Sequence, residues 1–167
     1  MKFYENILQH IDKFLRVLLA IMLTLLVIDV TWQVLTRFVL PQPSSFTEEV
    51  ARFLLIWISL LGGAYAYREH SHLGFDLIVR NLTASKARNV FKFCCFLVAV
   101  FAITVLIIGG SNLVHLTWTL GQHSAVLNVP MAGVYLVLPL SGLLFLAYSV
   151  YFFFNAQNYS LEQEDIT

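Results

Sequence analysis

Phe46-Thr47-Glu48-Glu49-Val50-Ala51-Arg52 opens a stretch that passes through an apolar run holding Trp57. It leaves through Gly62-Gly63-Ala64-Tyr65-Ala66-Tyr67-Arg68-Glu69-His70 and closes on His72 and Asp76. Two acids and a base start an otherwise apolar helix, small residues line its far half, and a charged, histidine-bearing segment ends it. A helix that is apolar all round is buried or lipid-facing. The stretch therefore reads as a membrane span with a charged knot at one end and a close-packing surface at the other.

The rest of the chain has the same character. Of its 167 residues, 59% are hydrophobic and 12% charged, against about 25% charged in a soluble domain. This excludes an ordinary soluble fold. Formal net charge is zero, so no general electrostatic pull draws the chain to nucleic acid. The adjacent Cys94 and Cys95 suit neither an ordinary disulfide nor a metal-ligand spacing and read as apolar filler near a helix end.

Outward from the opening stretch, three more apolar runs appear. The expected fold is an all-α integral membrane protein, a single membrane domain over 1–167 with spans near 14–38, 46–67, 90–114 and 130–154. Each is long enough for the roughly 20 residues that cross hydrocarbon. A short amphipathic lead-in precedes the first, with Ile7, Ile11, Phe14 and Leu15 on one face. The first run is too long for a signal-peptide core and no small-residue cleavage site follows it, so it reads as an uncleaved anchor. Pro41-Gln42-Pro43-Ser44-Ser45 separates the first two spans. Residues 68–88 form a polar connection whose middle, Gly74–Val79, is apolar enough to lie in the interface. Residues 119–130 are polar but uncharged, and an acidic tail occupies 155–167. Lys2, Lys13 and Arg16 lie before or at the start of span one. Arg68, Arg80, Lys86, Arg88 and Lys92 cluster around the second connection, and only Arg37 and Arg52 flank the first. The positive-inside rule then puts both termini in the cytoplasm.

Few residues offer chemistry. Asp29 is a carboxylate inside a span, where such groups need a partner. It lies about 13 Å below the end of its helix and Arg52 about 9 Å into the next. An Asp29–Arg52 pair is one reading, and a proton or cation site at Asp29 is the other. Glu48, Glu49 and Arg52 have i,i+3 and i,i+4 spacing. With Arg37 at the end of the first span they form either a structural ion-pair knot or a docking surface. Gly62, Gly63, Ala64 and Ala66 are helix-packing candidates, since small residues let helices approach closely in lipid. Gly109-Gly110 and Ala132-Gly133 offer similar thin spots. The five histidines do not form facing pairs within the membrane, which argues against haem, and no hydrolase, zinc-protease or phosphate-loop motif occurs. No catalytic residue, cofactor or metal is expected.

The pattern Phe46-x-Glu48-Glu49-x-x-Arg52, followed by Trp57, Gly62, Ala64, Ala66, Arg68, His72 and Asp76, resembles the small membrane subunit of TRAP transporters, the DctQ-like family. The aromatic before the acid pair is often Trp in that family and is Phe46 here. The resemblance implies a bacterial inner-membrane subunit with two partners, a large DctM-like membrane subunit and a periplasmic substrate-binding protein, in contact with membrane lipids. Its implied role is to scaffold the large subunit and to help dock the binding protein for sodium-coupled uptake of an organic acid. The chain looks nearer to sialic-acid systems than to C4-dicarboxylate ones. Arg68, His72 and Asp76 would fall in a cytoplasmic loop. The alternative is a stand-alone small proton-coupled transporter using Asp29. Four helices with one internal acid and no discontinuous helix pair are poor material for it.

Overall fold

A computed structural model describes residues 2–39, 45–70 and 84–164. Among the described residues the regular structure is helical, apart from one isolated β-bridge between His123 and Pro130. Helix α1 covers Lys2–Val39 and α2 covers Ser45–His70. Helix α3, Ala84–Phe101, runs into a π-helical segment, Ala102–Gly109, and on into α4, Gly110–Thr119. A short α5, Met131–Tyr135, precedes α6, Val137–Glu164. Four segments are long and apolar enough to cross a membrane: Tyr4–Val39, Ser45–Glu69, Asn89–Thr119 and Met131–Phe154.

Helix α1 absorbs the expected lead-in. No Gly or Pro interrupts residues 2–39, so nothing breaks the helix before its span. At 1.5 Å per residue it is about 57 Å long. Its inward positions recur every seven residues: Leu8 and Leu15 are buried, Met22 and Asp29 half-buried, Thr36 buried. That period marks a helix-packing seam. Its other sides are apolar and exposed, as at Ile28 and Trp32.

Contacts group the chain into two compact units, Met1–Tyr65 with Leu113–Val137, and Ala66–Asn112 with Leu138–Thr167. The first unit holds buried Leu61 and Ala64 of α2 and Ala132 and Val134 of α5. A Cβ added to Gly62 would meet Leu19 Cδ2 of α1 at 3.9 Å, ordinary contact. Trp57 donates its indole N–H to the Val134 carbonyl at 3.1 Å, which satisfies a donor that lipid cannot.

The second unit packs through glycine and aromatic rings. A Cβ on Gly110 would lie 2.7 Å from Leu138 Cβ and 3.2 Å from the Pro139 nitrogen. One on Gly142 would lie 2.8 Å from both Leu106 Cβ and Ile107 Cγ1. These two glycines therefore mark where the third and fourth spans approach most closely. Ala102, Leu106 and Gly110 are all buried at intervals of four. Positions four apart share one side of a helix, so this series forms the inward side of the third span. Gly109 faces only the backbone of its own helix and Gly133 faces open space, so within those two expected thin spots it is Gly110 and Ala132 that turn inward.

Candidate functional site at the start of α2

The site is built where α2 begins. Glu49 is buried in the first unit with its neighbours Thr47 and Ala51, whereas Phe46, Glu48 and Arg52 are exposed. Its carboxylate meets three consecutive backbone amides of the segment that follows α4. Ala125 donates to Oε1 at 3.1 Å, Val126 to Oε2 at 3.1 Å and Leu127 to Oε2 at 2.6 Å. Successive N–H groups converging in this way form an anion-binding nest. Hydrogen bonds to an ionised acceptor are the short, strong kind.

Local chemistry shapes the segment for this contact. Helix α4 ends in a double C-terminal hydrogen-bond pattern. Gln122 N–H donates to the Thr117 carbonyl at 3.0 Å, and Gly121 N–H to that of Trp118 at 3.1 Å. Gly121 takes φ 58°, the left-handed position that favours glycine at a helix end. Ser124 N–H then donates to the Val129 carbonyl at 2.9 Å, and Val129 N–H to Ser124 Oγ at 3.2 Å. Asn128, at φ 54°, closes the turn, and Asn is among the side chains that tolerate this region. Met131 N–H donates to the Gln122 carbonyl at 2.9 Å and leads into α5. The nest is thus closed by its own backbone and filled by Glu49.

The expected knot resolves into separate parts. Arg52 pairs with Glu48 at 3.1 Å, one helical turn away, and both side chains are largely exposed. Glu49 belongs to the loop instead. The expected Asp29–Arg52 pair does not form: among the described residues Asp29 Oδ2 is sealed from solvent without a hydrogen-bond partner. Depth along a helix was readable from spacing, but the side of the helix was not. Glu48 shares a face with Arg52 by simple periodicity. Arg37 is exposed at the end of α1, and no ion pair of it is found among the described residues.

The small residues of α2 also divide. Gly62 and Ala64 turn inward, whereas Gly63 and Ala66 are exposed. Within the first unit, Glu48, Arg52, Leu55, Ser59 and Gly63 make one exposed face of α2. Arg68 belongs to the last turns of α2 rather than to a loop. Its guanidinium lies 4.4 Å from the Tyr151 ring, 5.6 Å from that of Phe152 and 6.0 Å from that of Tyr148, a cation–π cage. His72 and Asp76 lie outside the described residues.

Sequence reasoning missed the nest. The break at 119–130 was legible as a polar connection, but nothing in the sequence links a loop at 125–127 to an acid 76 or more residues earlier.

Comparison with known proteins identifies the family. Residues 26–158 match the family of tripartite ATP-independent periplasmic transporters, DctQ component. The chain is 30% identical over 145 residues to the sialic acid TRAP transporter small permease protein SiaQ of Vibrio cholerae, covering 82% of this chain and 81% of that one. It is 29% identical over 102 residues to a putative TRAP transporter small permease protein of Haemophilus influenzae, covering 56% and 63% of the two chains. It is 27% identical over 95 residues to the C4-dicarboxylate TRAP transporter small permease protein DctQ of Rhodobacter capsulatus, covering 57% and 41%. A multi-pass helical chain with this match is a transporter subunit rather than an enzyme or a stand-alone carrier, and the protein belongs to the DctQ family of TRAP transporter small permease subunits.

Proposed function

We propose that this subunit scaffolds a large membrane transport subunit of the DctM type and helps dock a soluble periplasmic substrate-binding protein. The whole assembly then takes up an organic acid at the expense of a sodium gradient. The observation that carries the scaffold role is the exposed face of α2. Ser59 and Gly63 are small, one helical turn apart and open. In lipid, where hydrophobicity drives no association between helices, small residues give the close contact that holds them together. The names of the relatives, sialic acid for one and C4-dicarboxylate for another, support an organic acid as substrate. The longer coverage of the former favours the sialic acid type.

The charge pattern supports cytoplasmic termini, since Lys and Arg concentrate at the amino terminus and around the second connection. In that orientation the loop held by Glu49, the exposed Glu48–Arg52 pair and Arg37 face the periplasm. This is the side from which a binding protein arrives. Ion pairs on such a surface steer an encounter and weaken with salt.

The test is a pull-down of the tagged chain from solubilised native membranes, with partners identified by mass spectrometry. A stoichiometric large membrane protein is expected, and Gly63→Leu should lower its recovery. A lone chain or a homodimer would refute the scaffold role. For docking, the double charge reversal Glu48→Arg with Arg52→Glu should raise the binding-protein concentration needed for half-maximal uptake. An unchanged concentration curve at low and high salt would refute that part.

A further inference from the structure

Among the described residues, Asp29 is the polar side chain with a sealed atom left without a hydrogen-bond partner. It lies deep in the first span, ten residues from Val39 at its near end. The hydroxyls around it satisfy themselves on their own helix. Thr24 donates to the Ala20 carbonyl at 2.8 Å, Thr31 to that of Val27 at 2.7 Å and Thr36 to that of Gln33 at 2.9 Å. Asp29 Oδ2 has no such outlet. The arginines of the same unit are elsewhere: Arg52 is paired with Glu48, and Arg16 donates to the Tyr65 hydroxyl. Arg37 stands two helical turns further along α1 and is exposed.

The side of α1 next to Asp29 is open. Leu25 and Trp32, one turn below and above, are 50% and 58% exposed, and Ile28 is 60% exposed. Only 6% of the most apolar window of α1 is buried, against 17%, 22% and 33% for the other three spans. Acyl chains can cover the leucine, isoleucine and tryptophan of this face. They offer a carboxylate neither a counter-charge nor a hydrogen-bond donor.

We propose that Asp29 is an assembly residue, and that its occupant is a Lys or Arg side chain on a transmembrane helix of the large subunit, lying along the Leu25–Ile28–Trp32 face of α1. The inference rests on the scaffold reading and adds to it the helix, the depth and the chemistry of the contact. The uncompensated carboxylate selects a cation, and the apolar residues on either side supply the packing surface. A guanidinium or ammonium reaching the half-buried carboxyl neutralises charge spread over both oxygens, including the one sealed inside.

The experiment compares the amount of large subunit recovered with tagged wild type, Asp29→Asn and Asp29→Glu from native membranes. Asn keeps the shape and removes the charge, stranding the partner's cation, so recovery should fall roughly tenfold or more. Glu keeps the charge and should stay within about threefold of wild type. A second readout needs no variant. The apolar carboxyl reagent dicyclohexylcarbodiimide should label Asp29 in the full chain expressed in membranes without the large subunit, where the face beside it is open to lipid. It should fail to label Asp29 in the complex, where the partner's cation covers the carboxyl. Equal recovery with Asp29→Asn, or equal labelling with and without the large subunit, overturns the inference and leaves the scaffold reading standing. Failure of the wild type itself to recover a large subunit overturns both.

Discussion

The two compact units hold their helices by different means. In the first, the decisive contacts are polar and directional: Glu49 to three loop amides, Trp57 to a carbonyl of α5. In the second they are contacts of shape. Gly110 and Gly142 admit the neighbouring span to within the distance a Cβ would occupy. Tyr67 meets the rings of Phe145 and Phe152 at 5.7 and 5.5 Å, and its hydroxyl lies 3.2 Å from Ser149 Oγ. The contrast follows from what each region must secure. A connecting loop has unpaired amides and needs an acceptor. Two apolar helices in lipid have no unpaired backbone and gain from close packing alone.

The comparison breaks most easily at Gly142. Gly142→Leu places carbon within 2.8 Å of Leu106 Cβ and 3.2 Å of the Ile107 backbone nitrogen, atoms that cannot swing aside. Overpacking of this kind destabilises by about 1–3 kcal/mol or more, so the purified protein should melt several degrees lower or fail to accumulate. Gly133→Ala is the control, since nothing lies within 4 Å of its Cβ position. An equal loss at both positions would refute close packing as the cause.

Glu49→Ala should come next. It removes the acceptor of three amides, so hydrogen exchange at Ala125, Val126 and Leu127 should quicken by roughly tenfold or more. Glu49→Gln, which keeps one carbonyl acceptor, should fall between. Exchange as slow as wild type would mean that the loop holds itself without the acid.

Trp57→Phe tests a single bond. The loss of one buried hydrogen bond is worth about 1 kcal/mol, visible as a small downward shift in melting temperature with the fold retained. A shift as large as that of Gly142→Leu would make the first unit the weaker of the two. The smallest effect is expected at Arg52→Gln. Its pair with Glu48 is exposed, and such pairs contribute little to stability. Melting should be unchanged, and any effect should appear only in docking.

Much of this was legible beforehand. The spans follow from runs of apolar residues, because a bilayer demands about 20 of them wherever they occur. The Glu48–Arg52 pair follows from spacing on one helix. What was misread concerned direction around a helix axis. Asp29 and Arg52 have matching depths, yet Asp29 lies in the seam of α1 and Arg52 on an open face of α2. Gly63 and Gly62 are neighbours in sequence and point to different surroundings.

By itself, then, the sequence determined the class, the four apolar helices, the charged start of α2 and the family, since each depends on composition or on short-range periodicity. Only the tertiary structure decided that Glu49 fills a nest of amides at 125–127 and that Gly110 and Gly142 are the close approaches. It alone decided that, among the described residues, Asp29 Oδ2 is left without a hydrogen-bond partner. Those outcomes depend on which faces of distant segments meet, and no local pattern encodes that.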